Sequence, residues 1–180
     1  LKTIEKAGEL KIPFTIGILV GIGESWEDRI NSLLEIRRLQ EEFGHIQEVI
    51  IQPFVPKEET PMENKSPPKH QELLNIVFFA RRIMPDMNIQ VPPNLISKLI
   101  DFLLAGANDL GGMSTVTPDF INPQNPWPNI EKLDKKLGKE GFDLRERLSI
   151  YPKFVKNSDY MRPEVEEVVK ELSEKGDYLE

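Results

Sequence analysis

Short segments rich in glycine and side-chain amides hold the residue types that could do chemistry. The first is the octet GILVGIGE, Gly17 to Glu24. Gly21 and Gly23 permit positive φ and let backbone approach a ligand closely. Backbone N–H and C=O groups there would read the edge of a flat ring such as adenine. A plain strand-to-helix turn, with glycines for geometry alone, is the alternative. The octet lacks GxGxxG spacing, which speaks against a Rossmann dinucleotide site. The second segment is GANDLGG, Gly106 to Gly112, where Asn108 and Asp109 would hydrogen-bond a polar substrate. A helix C-cap followed by an Asx turn explains the same residues. Gln52 and Asn94 complete the polar set. His45 and His70 are the only histidines and read as surface or capping residues. No Ser-His-Asp or metal-ligating cluster is visible, so catalytic residues are unassigned and no metal ligand is expected in this chain.

The elements that must position these groups follow from hydrophobic spacing. Lys2 to Leu10 reads as a helix. Lys11 to Gly21 is a nearly continuous apolar run, as a strand buried on both faces requires. Ser25 stands three before Asp28, a helix N-cap signature, and Ile30, Leu33, Leu34 and Leu39 supply an apolar stripe up to Gly44. A second strand centres on EVIIQ, Glu48 to Gln52. Pro53 to Pro68 is a loop with five prolines, long enough to suggest a lid. His70 to Met84 is the next helix, Asn88 to Val91 a short strand, and Asn94 caps a helix ended by Gly106. Asp109 to Met113 offers a final short strand. Alternating strands and helices imply a parallel sheet; doubly wound sheets and (β/α)8 barrels both fit. In either, function gathers at the C-terminal ends of the strands. There Gly21, Gly23, Glu24, Gln52, Pro53, Asn94, Asn108 and Asp109 converge. Trp26 and Trp127 would pack over this region or flank a ligand. Glu41-Glu42, Glu58-Glu59 and Glu166-Glu167 read as solvated charge.

The bulk properties bound the partners. The chain has 180 residues, 39% hydrophobic and 29% charged, with net charge −7. That is ordinary globular composition, and the acidic balance speaks against a nucleic-acid or anionic-membrane binder. No apolar run approaches the roughly 18 residues of a membrane span. There is no cysteine, so no disulfide or cluster thiolate comes from this chain. With no signal-peptide pattern, a cytoplasmic setting is expected.

Taken together, the segments resemble a known family. IPFTIGILVGIGES is similar to the fifth-strand region of radical S-adenosylmethionine (SAM) enzymes of the biotin synthase type. A G-x-I-x-G-x-x-E pattern lines the SAM adenine there; Gly17, Leu19, Gly21 and Glu24 match it, with Leu for Ile. HIQEVIIQPF, PNL and GANDLGG resemble the deazaflavin and menaquinone branch. The GG ending and VTPDFINPQNPWP fit the first subunit of deazaflavin (FO) synthase. The resemblance runs from about residue 1 to 160.

It implies an α/β fold comprising the C-terminal half, strands five to eight, of a radical SAM (β/α)8 barrel. That partial barrel would span 1–116, with a proline-rich segment and helical extension over 117–180. It implies a lyase step in coenzyme F(420) biosynthesis. A 5′-deoxyadenosyl radical would act on an adduct of tyrosine's hydroxybenzyl group with a ribitylaminouracil, and loss of ammonia would give FO. The implied cofactors are SAM and a 4Fe-4S cluster whose CxxxCxxC ligands would lie in an N-terminal half. Gly17, Leu19, Gly21, Gly23 and Glu24 would border SAM; Gln52, Asn94, Asn108 and Asp109 would contact substrate. The expected partners are that N-terminal half-barrel, the second FO synthase subunit and the small-molecule substrate. A first residue of Leu1, inside a helix, suggests a fragment that is inactive alone and prone to self-association through unpaired strand edges. The alternatives are a non-catalytic half-barrel that completes a cluster-bearing chain, or another (β/α)8 enzyme. The latter would want a glycine-rich phosphate loop where this chain has PPNL.

Overall fold

The computed structural model describes residues 1–174 of the 180; the end of the extension, 175–180, lies outside the described residues. The elements run α1 (Lys2–Glu9), β1 (Phe14–Val20), α2 (Trp26–Phe43), β2 (Ile46–Pro53), α3 (His70–Ile83), β3 (Asn88–Gln90) and α4 (Leu99–Ala105). After a long irregular stretch come α5 (Ile130–Lys139), α6 (Pro152–Val155), a single 3-10 turn (Ser158–Tyr160) and α7 (Pro163–Glu174).

The three strands form one parallel sheet in the order β1-β2-β3. The expected fourth strand is reduced to a single parallel bridge, Gln90 to Asp109. Glycines flank it, and Asp109 is tied by its side chain, so the ladder stops after one pair. Strand order follows chain order without reversal. Right-handed crossovers then place α2 and α3 on the same face of the sheet. The core is on that face. Val20, Val49, Ile51, Ile89 and Val91 meet Leu33, Ile36 and Leu39 of α2 and Ile76, Val77 and Ala80 of α3. The stripe on α2 therefore uses Ile36; Leu34 is turned outward and 45% exposed.

Local signals explain the element ends. Ser25 accepts the Asp28 N–H (3.1 Å) while Asp28 accepts the Ser25 N–H (2.8 Å), a complete capping box that starts α2. Gly44, with φ +70°, ends the helix in the left-handed conformation. Asn94 does not cap α4: the helix begins five residues later at Leu99, and the Asn94 side chain is engaged elsewhere. His45 is fully buried between the rings of Phe14 and Phe43, not a surface residue. His70 opens α3, its Nε2 3.0 Å from Asp101 and its ring edge-on to Phe102. Among the described residues no helix is long and apolar enough to cross a membrane.

Candidate active site at the strand ends

The second face of the sheet is uncovered toward the C-terminal ends of the strands. Along β1, Thr15, Gly17 and Leu19 alternate outward while Ile16, Ile18 and Val20 turn to the core. In register beside them on β2 stand Glu48, Ile50 and Gln52. Gly17 lies against Ile50, where a Cβ would come within 2.4 Å of the Ile50 carbonyl oxygen; glycine is required there by the neighbouring strand. Leu19 is 44% exposed beside half-buried Gln52.

β1 leads directly into the turn Gly21-Ile22-Gly23. Gly21 and Gly23 hold φ of +104° and +115°, which L side chains rarely adopt. A Cβ on Gly21 would also lie 2.7 Å from Pro68 Cδ, so the 54–69 loop folds onto this turn. On Gly23 the near neighbour is the end of the flexible Lys65 side chain, and the backbone conformation itself is what calls for glycine. The Glu24 carboxylate fixes the turn from beneath. It accepts the N–H of Gly21 and of Ile22, each at 2.8 Å, and Arg29 Nε at 2.6 Å. Arg29 is buried and extends its other arm to Glu72 at 3.2 Å. Burial alone would raise the Glu24 pKa, but the Gly21 N–H and the Arg29 guanidinium outweigh it and hold the carboxyl at about 2. Glu24 is thus an ionised staple for the turn.

Two further polar groups gather at other points of the sheet. Asn94, in the turn after β3, donates to Asp119 Oδ2 and to the Asn125 carbonyl, both at 2.9 Å. This anchors the proline-rich segment over the end of β3. Burial would raise the Asp119 pKa, but N–H donors from Asn122, Asn94 and Ile121 bring it below the ordinary carboxylate range.

The second group centres on Asp109. Arg147 Nε reaches Asp109 Oδ2 at 2.6 Å, and Arg147 Nη2 bridges Asp109 and Glu48 at 3.0 Å each. The Tyr151 hydroxyl donates to Asp109 and is 3.0 Å from Glu48, with the guanidinium 4.2 Å over its ring. Gly111 N–H adds a third kind of donor. Burial pushes the Asp109 carboxyl up, yet Arg147, Tyr151 and Gly111 together lower it below its usual value. Burial and the facing carboxylates push the Tyr151 phenol well up. Asn108 turns its amide oxygen to the Ile89 N–H (2.8 Å) and Arg81 (3.0 Å).

The predicted residues therefore divide. Gly17, Leu19 and Gln52 share the open face, and Gly21, Gly23 and Glu24 share the turn above it. Asn94 faces the proline-rich segment, while Asn108 and Asp109 are hydrogen-bonded within the framework. Glu48, Arg147, Tyr151, Asp119, Asn122 and Arg29 were not singled out by sequence. Three of them had a readable signal: a lone Glu48 in an apolar strand needs a partner, and Asp119-x-x-Asn122 is an Asx-turn pattern. Arg147 and Tyr151 lie in a segment without periodicity. A cavity of about 690 Å³, lined in part by Gln47, Met84, Asn88 and Tyr151, opens at the opposite, N-terminal end of the strands.

Comparison with known proteins decides the kinship. The chain is 57% identical over 157 residues to the 7,8-didemethyl-8-hydroxy-5-deazariboflavin (FO) synthase of Archaeoglobus fulgidus, covering 87% of this chain and 48% of that protein. The chain is a homologue of the FO synthases. The proteins of that name from Methanopyrus kandleri and Methanothermobacter thermautotrophicus are 51% and 49% identical, over 97% and 96% of this chain and 52% of each relative. The chain thus spans about half the length of the FO synthases it matches, consistent with their C-terminal half. No family model matches.

Proposed function

We propose that this chain is the C-terminal half of a radical SAM barrel, strands five to eight plus an extension, that forms the deazaflavin FO. The observation that carries the reading is identity of about half to FO synthases over most of this chain but only half of theirs. The unreversed parallel order β1-β2-β3, with helices on one face, supports a barrel segment over a doubly wound sheet. The cluster cysteines would come from an N-terminal half, since this chain has none.

The open face fits SAM. Leu19 and Ile22, 44% and 43% exposed, give apolar surface for a flat base. Gly17, Gly21 and Gly23 keep side chains out of its way, and the turn offers backbone groups for its edge. Glu24 and Arg29 hold that turn rigid and do not themselves need to touch the cofactor. When bound, SAM and a reduced 4Fe-4S cluster supply the radical chemistry. This chain's residues bind, orient and shield. Gln52 and Asn94 are assigned to the adduct of hydroxybenzyl and ribitylaminouracil groups. Asn108 and Asp109, hydrogen-bonded inside the framework, act in shaping the rim. The second FO synthase subunit is the expected supplier of that adduct.

The test is FO formation. The chain joined to a cysteine-bearing N-terminal half, reconstituted anaerobically with the second subunit, tyrosine and ribitylaminouracil, should release FO, read by mass and absorbance. A protein that loads a cluster and cleaves SAM yet makes no FO from these components would contradict the assignment.

A further inference from the structure

One edge of the sheet carries apolar surface that neither the strand-end site nor the core uses. β1 has a strand neighbour on one side only, β2, and its other edge is open. Lys11, in the connection from α1 to β1, pairs with Asp159 at 2.5 Å, and the Tyr160 hydroxyl donates to the Phe43 carbonyl at 3.1 Å. These contacts tie the 3-10 turn beneath the N-terminal end of β1. Pro163 opens α7 three residues after Tyr160, so α7 starts at this open edge.

Leu10 and Ile12, on either side of Lys11, are 66% and 49% exposed. On α7, Val165, Val168 and Leu172 recur at i, i+3 and i+7 and so share one face. They are 46%, 55% and 42% exposed, while Val169 alone among residues 163–172 is buried. A twelve-residue helix anchored through one side chain is marginal in water by propensity alone. Single exposed aliphatic residues are ordinary, but a stripe of three that starts at an edge carrying two more is a contact surface.

Two observations choose its occupant. The chain spans about half the length of the FO synthases it matches, and the open side of β1 is where a parallel sheet of this order takes its next strand from the other half. That strand brings its helices alongside α1, next to the start of α7. Charge gives the second observation. α7 holds five Glu and one Lys, so the surface it meets is apolar with Lys or Arg at its margins. A second copy of this chain, with net charge −7, would set an acidic helix against an acidic molecule, which like charges oppose.

We infer that α7 is a clasp: its Val165–Val168–Leu172 face, with Leu10 and Ile12, docks on a basic-rimmed apolar surface of the N-terminal half-barrel and ties the two halves together across the β1 edge. The inference rests on the FO synthase reading, which supplies that half.

The experiment is amide hydrogen exchange at residues 167–172, read by mass spectrometry, in this chain alone and in this chain joined to its cysteine-bearing N-terminal half. Exchange should be fast in the chain alone and slower by about ten-fold or more in the joined protein, as the covering of aliphatic side chains gives. Val168→Glu puts a good helix former on the exposed face. It should restore fast exchange in the joined protein and leave the melting temperature of the chain alone unchanged. Exchange equally fast in the joined protein, or slow exchange there that Val168→Glu leaves intact, overturns the inference. A lower melting temperature of the chain alone in Val168→Glu also overturns it, since Val168 would then be packed within the chain. Slow exchange in the chain alone that appears only as its concentration rises identifies a second copy as the occupant and overturns it likewise. SAM cleavage by the same joined protein reports separately on the FO synthase reading. Cleavage with fast exchange in α7 removes the clasp and leaves that reading in place; a joined protein that neither cleaves SAM nor protects α7 overturns both.

Discussion

Replacing Glu24 by Gln tests whether the glycine turn is held by charge. Gln keeps the shape and one carboxamide oxygen, but cannot accept from Gly21 N–H, Ile22 N–H and Arg29 at once. It also leaves Arg29, with a side chain 9% exposed, only the half-exposed Glu72 as counter-charge. The magnitude follows from the titration of the carboxyl. A fall from the ordinary 4.5 to about 2, at about 1.4 kcal/mol per tenfold change, corresponds to about 3 kcal/mol. The Glu24 side chain is only 15% exposed, so solvent screening removes little of this. The folded state holds the proton more weakly than the unfolded chain. The contribution is therefore whole above pH 4.5 and is lost as pH falls from about 4.5 toward about 2. In urea titrations at pH 7 the Gln variant should be less stable by about 2–3 kcal/mol, a fall of about 5–10 °C in melting temperature for a chain of this size. The gap between parent and variant should close as the pH approaches 2. A gap under about 0.5 kcal/mol at neutral pH, the range of an ordinary surface change, or one that does not narrow on acidification, would mean that the Glu24 charge does not hold the turn.

Three further outcomes are expected. Gly21→Val places a β-branched residue at φ +104° with its Cβ 2.7 Å from Pro68; it should lower stability by about 2–3 kcal/mol and weaken SAM in equilibrium binding, and parent-like SAM affinity would remove the turn from the cofactor site. Arg147→Met leaves Glu48 and Asp109, whose side chains are 7% and 9% exposed, without their cation; denaturation should show a loss of about 3 kcal/mol, against about 1 kcal/mol for Tyr151→Phe. His45, whose pKa burial lowers from 6.5, resists protonation in the folded state. The parent should lose stability as pH falls below about 6.5, when the unfolded chain takes up the proton, and His45→Leu should remove that part of the acid sensitivity in melts at pH 7 and pH 5.

How far the sequence could be read depended on the kind of signal. Apolar runs located the strands β1 to β3, and periodicity the helices α1 to α3, within a few residues; β1 reads as buried on both faces, but Thr15, Gly17 and Leu19 are exposed, because only one face of the sheet is covered by helices. The Ser25–Asp28 capping box and the Gly44 cap were legible as local chemistry, since both partners lie within one turn. Asp109 to Met113 reads as a strand, but one ladder pair forms, because Asp109 is held sideways by Arg147 and Tyr151. That pairing spans 38 to 42 residues of chain, and no local pattern encodes it. Asn94 reads as a helix cap for the same reason: its competing partner, Asp119, is 25 residues away. His45 reads as a surface residue beside a helix end, yet two aromatic rings brought together by folding enclose it. The glycine turn was legible in kind. That Glu24 would be consumed in stapling it followed only from the geometry.

The proposal that this chain is one half of a radical SAM enzyme is tested by anaerobic iron–sulfur reconstitution read by absorbance and SAM cleavage. The chain would be assayed alone and together with a cysteine-bearing N-terminal half. A cluster and 5′-deoxyadenosine are expected only when both halves are present, with cleavage reduced by Gly21→Val. A mixture that assembles a cluster but neither binds nor cleaves SAM would contradict it.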